Sequence, residues 1–297
     1  MYTPGEIQPC APPVPKSKNI SLTYVDVTEA AKKLEQKHLS GPTAGRFLGE
    51  ALASVALLSA DLGNKDERIS LQVRVTGPIG GCVTDASREG NLRGYSQIKI
   101  LNDFDSKEST ELKEIVGEAG ELTVIHSNSR TMLDSQQIRC DPFNFKYAIA
   151  RYYNDRKSVP TAVEIVVKSL DFKLDKAFAI KMSRTSDGKS EDFVPLLERF
   201  NDHTIEKALA QGVDIKTIAK SLGLDDIQII ESRPLTANCT CSHEKVVNSV
   251  SCLPIEDLTE IIEKREEPEV TCHFCSTTYK VKTEEVVALL RKKQEKK

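Results

Sequence analysis

Two short cysteine clips near the C-terminus constrain this chain more than any other feature. Cys239-Thr240-Cys241 and Cys272-His273-Phe274-Cys275 are separated by thirty residues and supply four soft sulfur donors. Four thiolates suit a tetrahedral zinc site with no vacant position for water or substrate, so the pattern points to a structural site rather than a hydrolytic one. His243 and His273 are close enough in sequence to compete, but four cysteines already complete the shell. The plainer alternative is a set of unmetallated thiols in a small domain. The C-x-C clip is tighter than the usual gap of two to four residues. Its sulfurs can share a metal, whereas a disulfide between them closes a small, strained and easily reduced ring, which suits a reversible switch.

Reading the cysteines as thiols depends on the compartment. No window of the chain approaches the apolar length that spans a bilayer, and the first twenty residues lack the apolar run of a secretory signal. A cytoplasmic protein is therefore expected, in a setting that keeps thiols reduced. Zinc would hold its cysteines as thiolates, the form that peroxide or hypochlorite attacks. Once a sulfenic acid condenses with its neighbour, that pair is lost as ligands and the metal's contribution to folding goes with it. With 41 Lys+Arg against 44 Asp+Glu, the net charge of -3 gives no general attraction to nucleic acid or to an acidic membrane.

Patterning divides the 297-residue chain. Residues 1–19 carry five prolines and no apolar period, and read as a flexible arm. Structure is expected to begin near Asp26, where Asp26 and Glu29 have capping-box spacing, with a second helix from about Thr43. From Ile69 the period becomes two, as Ile69, Leu71, Val73 and Val75 alternate with polar residues, and Gly77-Pro78 forces a turn. Further strands are expected near 82–85, 93–98, 122–127, 132–138, 163–169 and 178–182, with a helix between Asn144 and Tyr153. Residues 20–185 thus form an α+β domain with a mainly antiparallel sheet. Residues 186–233 carry three short amphipathic helices, with Gly212 and Gly223 at C-caps. Such pieces are marginal alone and depend on packing, which fits either a subdomain held permanently on the sheet or one that unfolds conditionally. Residues 234–297 form a small four-cysteine domain with helical patterns around Val246 and Leu258, and a final helix from Glu284 that runs into Lys292, Lys293, Lys296 and Lys297.

These features together resemble the 33-kDa heat-shock protein family of redox-regulated chaperones. The resemblance rests on Cys239-Thr240-Cys241-Ser242-His243-Glu244 and Val270-Thr271-Cys272-His273-Phe274-Cys275. A second stretch, Gly77-Pro78-Ile79-Gly80-Gly81 followed by Glu89-Gly90-Asn91-Leu92-Arg93-Gly94-Tyr95, is similar to the strand-turn-strand signature of that family's N-terminal domain. The likeness runs in order from about residue 20 to 290. It implies an ATP-independent holdase, not an enzyme, that binds one zinc ion when reduced through Cys239, Cys241, Cys272 and Cys275. It further implies disulfides Cys239–Cys241 and Cys272–Cys275 on oxidation, a homodimer in that state, and unfolding client proteins as partners. The metastable linker would supply client-binding surface through Phe193, Leu197, Phe200, Ile218 and Leu222.

Cys10, Cys82, Cys140 and Cys252 stand outside the switch. Cys82 and Cys140 fall in strand patterns and read as buried structural thiols, whereas Cys252, between the clips, can enter mixed disulfides. Two other classes compete. A zinc-ribbon nucleic-acid module would use the clips as a static scaffold and the basic tail on phosphates. A thiol oxidoreductase would use Cys272 and Cys275 as a redox pair, but the βαβ setting of such a site is missing.

Overall fold

The computed structural model describes residues 6–10, 20–107, 111–185, 188, 190–225 and 227–295. Residues 1–5 and 11–19 of the expected arm, and Lys296 and Lys297 of the basic tail, lie outside the described residues. The chain divides into two units that meet between Asn238 and Cys239.

The first unit runs β1 (Glu6–Cys10), β2 (Ile20–Asp26), α1 (Thr28–His38), α2 (Pro42–Ser59), β3 (Arg68–Val75), β4 (Gly81–Ser87) and β5 (Asn91–Ser96). It continues through α3 (Asn102–Asp105), α4 (Leu112–Val116), β6 (Gly120–Ser127), β7 (Met132–Cys140), α5 (Phe145–Arg151) and a π-helical turn at Tyr152–Arg156. Then follow β8 (Thr161–Leu170), β9 (Lys173–Arg184), α6 (Ser190–Phe200), α7 (Thr204–Gln211), α8 (Ile215–Ser221), β10 (Arg233–Pro234) and β11 (Thr236–Ala237). One sheet has the order β10-β1-β2-β9-β8 and is antiparallel throughout. The other has the order β11-β5-β4-β3-β6-β7 and is antiparallel except where β11 runs parallel to β5. The fold is the expected α+β type.

Helix α2 is the centre of this unit. Proline occupies its first turn, where a missing N–H costs nothing, and its side chains are buried almost all round, touching strands of both sheets. Strand alternation then sorts the first sheet's residues. Val25, Val163, Val167, Ala177 and Ala179 join the α2 core. Their neighbours Leu22, Tyr24, Ala162, Val166, Phe178 and Ile180 form a second core on the opposite face. Helices α6, α7 and α8 cover that second face with Leu196, Phe200, Ile205, Leu209, Ile215 and Ile218.

Strand β2 is absent from the sequence expectation, which starts the fold at Asp26. Its signal was the alternation of Ile20, Leu22 and Tyr24 with Ser21 and Thr23. Asp26 does serve the start of α1, its Oδ1 accepting the Thr28 N–H at 2.9 Å, although Val27 holds the cap position. Within the segment read as an arm, residues 6–10 pair with β2 and β10 and so satisfy the backbone of a sheet edge.

The stretch that ends the first unit is strapped down. Arg88 and Glu231 form a two-pronged ion pair, and the buried Arg233 donates to the Ser59 carbonyl at 2.6 Å. Leu235 enters the α2 core, and Gly90, at φ +85°, leaves room for the Pro234 carbonyl where a Cβ would collide. These bonds place residues 234–238 with the first unit rather than with the cysteine domain, five residues later than patterning suggested.

The second unit carries α9 (His243–Val250), α10 (Ile255–Glu263), β12 (Glu269–Thr271), β13 (Thr278–Lys280) and α11 (Thr283–Gln294). Strands β12 and β13 pair as a hairpin. Among the described residues its core cluster holds Val246, Val250, Leu258, Val281 and Val286 as buried apolar residues, with Ile261, Ile262, Leu289 and Leu290 among the half-buried ones packed against it. Among the described residues, no helix is long and apolar enough to cross a membrane.

Two charges interrupt α2, Arg46 and Glu50, which stand one turn apart. Desolvation raises the Glu50 pKa to about 7, opposed by Arg46 and reinforced by Glu164 on β8, itself paired with Lys146 on α5. A folded-state pKa above the unfolded value means that folding takes up a proton between about pH 4.5 and 7, and stability falls as pH rises through that window. Glu50→Gln is expected to raise the melting temperature of this unit by a few degrees at pH 8 and by little at pH 5, read by scanning calorimetry. An equal effect at both pH values contradicts this.

Candidate metal centre

The four clip cysteines are brought together by the second unit. Cys239 and Cys241 sit on the extended chain just before α9, whose start is capped by Ser242 accepting the Lys245 N–H at 3.3 Å. Cys272 and Cys275 lie at the tip of the β12–β13 hairpin. There the Cys272 N–H donates to the Thr277 carbonyl at 2.9 Å, and the Ser276 N–H closes a tight turn onto the Cys272 carbonyl at 2.8 Å. Ser276 adopts φ +54° to make that turn.

All four Sγ atoms lie within 4.8 Å of one another. Cys239 faces Cys272 at 3.7 Å and Cys241 faces Cys275 at 3.4 Å, so sulfurs of opposite clips are in contact, and each sulfur also meets its clip partner. A tetrahedron of sulfurs about 2.3 Å from a zinc ion has edges of about 3.8 Å, and the set has that size. Three of the cysteines are partly exposed and Cys275 is buried. Among the described residues this is the one cluster of His, Cys, Asp or Glu with metal-ligand spacing, and no histidine joins it. His243 is instead bonded through Nε2 to Glu285 Oε1 at 2.8 Å.

The sulfurs share their protons unequally. Desolvation pushes Cys272 up to about 12 and raises Cys241. Desolvation also acts on Cys275, but Thr277 and the neighbouring thiols overcome it and hold that thiol down at about 7. Tyr279, 3.0 Å from Cys241 Sγ, is itself raised to about 12 by that contact. Four thiolates this close repel one another, and only a cation lets all four lose their protons together. The donor set therefore fits a metal ion, and a soft, four-coordinate one.

The arrangement also has the look of a known group. Residues 12–282 match the family model described as Hsp33 protein. The chain belongs to the Hsp33 family. It is 26% identical over 274 residues to the 33 kDa chaperonin of Staphylococcus aureus strain JH9, covering 89% of this chain and 91% of that one. The 33 kDa chaperonin of strain Newman gives the same figures. The crystal structure of a 33 kDa chaperonin (heat shock protein 33 homolog) from Thermotoga maritima shares the fold, with a TM-score of 0.87 and 20% identity over 99% of this chain and 100% of the other.

The other residues singled out in this Hsp33-family chain lie elsewhere. Cys82 and Cys140 are buried in β4 and at the end of β7, and desolvation raises both thiols. Cys252 is exposed beyond α9, and Cys10 ends β1 opposite Leu22. Phe193, Phe200, Ile218 and Leu222 are buried in the second core, and Leu197 packs against it half-buried. Sequence reasoning did not find Tyr279, Thr277 or the Glu285–His243 pair. Tyr279 lies only four residues beyond Cys275, and that nearness was the available signal.

A core of four valines and a leucine is thin for a unit of roughly sixty residues, a size at which metals are often needed for folding. Cys272→Ser is expected to lose bound metal and to make amide exchange fast across 239–295, as a strong chelator would in the wild-type chain. Unchanged protection after complete metal removal contradicts this.

Proposed function

We propose that the chain is a redox-regulated, ATP-independent holdase that keeps unfolding proteins from aggregating, acting in the cytoplasm. The observation that carries this reading is the convergence of four thiols on a unit with little other core. In the reduced state Cys239, Cys241, Cys272 and Cys275 hold one zinc ion. Bound zinc keeps these cysteines as thiolates and so supplies both the fold of the unit and its sensitivity to oxidant.

A thiolate attacks one oxygen of peroxide, the O–O bond breaks, and the products are a sulfenic acid and hydroxide. The sulfenic acid then condenses with a second thiol, forming the disulfide and releasing water. By resemblance the partners lie within each clip, Cys239 with Cys241 and Cys272 with Cys275. All four sulfurs lie within 4.8 Å of one another, so within-clip pairing needs little movement of the chain. Two donors are lost for each disulfide, and the small valine core cannot hold α9–α11 together alone.

The second half of the proposal concerns the metastable linker, 186–233. Helices α6 to α8 are short, and their hold on the sheet is the shared burial of Leu196, Phe200, Ile205, Leu209, Ile215 and Ile218, with Phe193 and Leu222 buried and Leu197 half-buried beside them. Each such side chain contributes about 1.5–3 kcal/mol, so cooperative release is costly in the resting protein but within reach of heat or a competing chain. Lifting the helices frees two apolar surfaces, their own stripe and the sheet face of Leu22, Tyr24 and Ile180, to bind clients without sequence readout and to pair two oxidised copies. On the nucleic-acid reading, the basic tail would touch phosphates, yet Lys293 is bonded to the Leu253 carbonyl within the unit.

Light scattering of a thermally unfolding client tests the reading. Suppression is expected after peroxide at raised temperature, together with metal release, and not from the reduced metallated chain. Limited proteolysis is expected to open residues 190–225 only in the activated state, and equal protection in both states would sink the linker's role. Ile218→Ala, which removes about 2–5 kcal/mol of packing, is expected to lower the temperature of activation. Peptide mapping of the oxidised chain is expected to return the two within-clip disulfides.

A further inference from the structure

The 18-residue apolar helix α2 carries just two charges, Arg46 and Glu50, and both face one cavity of about 580 Å³ between α2, β8 and the linker helix α7. Charged groups are costly on a helix otherwise buried all round, and their convergence on a cavity of ligand size is a mark of a binding site. Among the described residues, the Glu50 carboxyl meets the charges of Arg46 and Glu164 and accepts no hydrogen bond.

The rest of the lining decides what kind of ligand fits. Three cations (Arg46, Lys107, Lys168) and three carboxylates (Glu50, Asp171, Glu206) surround the space, so neither an anion nor a cation is favoured. A neutral group with one acceptor and one donor is favoured, because a guanidinium donates and a carboxylate one helical turn away accepts. The peptide group is that kind of ligand. Glu50 and Leu112 also line a second, largely apolar chamber of about 170 Å³, walled by Phe47, Phe143, Phe145 and Val116, with Lys113 and Asn144 at its lining. Apolar cavities of about 150 Å³ accept a benzene ring, so the chamber has room for one large apolar side chain.

We propose that the Arg46–Glu50 cavity and the aromatic chamber together bind an extended peptide segment, its peptide group between the two α2 charges and one aromatic or large aliphatic side chain in the chamber. The identity of the ligand as a stretch of an unfolding client rests on the holdase reading above. Glu206 of α7 forms part of the cavity lining, so release of the linker widens the entrance. Peptide capture here is independent of the apolar stripe of α6–α8.

The test uses the full chain, reduced and peroxide-activated, with a fluorescein-labelled unstructured Gly/Ser peptide carrying one phenylalanine, its alanine counterpart, and a version with a photoreactive benzoylphenylalanine at that position. Binding of the phenylalanine peptide is expected to be at least tenfold tighter than that of the alanine peptide. It should tighten further on activation, and crosslinks should map to Leu112, Phe143 or Phe145. Leu112→Trp, which fills the chamber from a partly exposed position, is expected to weaken binding at least tenfold with little change in melting temperature. Crosslinks confined to other segments, or unchanged affinity in folded Leu112→Trp, overturn the proposal. If the tryptophan variant does not fold, the crosslink map decides alone. Aggregation assays on the same samples separate the two ideas. Suppression without chamber crosslinks removes this site and leaves the holdase, whereas chamber crosslinks without suppression keep the site and remove the holdase.

Discussion

A helix whose side chains are apolar all round has to be covered all round, and α2 imposes that requirement on the whole first unit. One sheet alone leaves half of the helix in water, so a second sheet closes over it and both draw their inward residues from strand alternation. The price appears one layer out. The β2–β9–β8 sheet, pressed onto α2 by one face, turns Leu22, Tyr24, Phe178 and Ile180 outward on the other. That face needs cover too, and α6 to α8 provide it with helices of only 7 to 11 residues. The hold of α6 to α8 is therefore a consequence of central packing, and their dependence on that packing a consequence of helix length.

The same logic accounts for the buried polar groups that tie the unit together. Lys181 stands on the inward face of β9 with its Nζ 2.8 Å from both Asp61 carboxylate oxygens and 3.0 Å from the Tyr153 hydroxyl. Glu35 accepts the Leu174 N–H at 3.2 Å, joining α1 to the start of β9. Each charge is placed where a backbone or ionic partner meets it, the condition on which burial is tolerated. The second unit follows a different rule. With few buried side chains, it is organised around sulfur, and Tyr279 on β13 together with the His243–Glu285 pair between α9 and α11 braces the cluster from outside. Second neighbours of this kind orient metal ligands and set how readily they are lost.

Much of this was legible in the residues. The clips, the period-two run of β3, the short strands expected after it, and the three helices of 186–233 with Gly212 as a left-handed cap all follow from local spacing. What escaped had non-local causes. Strands β10 and β11 are two residues each and exist because Arg233, Leu235 and the small Gly90 hold the chain against distant strands. The β12–β13 hairpin is three residues a side and stands on its cysteine tip. Arg46 and Glu50 were visible as an i, i+4 pair, but their shared cavity exists only once β8 and α7 are in place.

Sequence by itself determined the chemistry: four soft donors in two clips, an α+β order of elements, and a helical segment too short to stand alone. These are properties of residue type and spacing along the chain, and hydrophobic period and ligand chemistry are read at that range. Tertiary structure decided that the two clips, thirty residues apart, bring their four sulfurs within 4.8 Å of one another, and that the apolar stripe of α6 to α8 is buried against the outer face of a sheet. It also decided that the segment up to Asn238 belongs to the first unit. Such facts depend on contacts between residues far apart in the chain, whose energies are settled only when the two sheets have closed on α2.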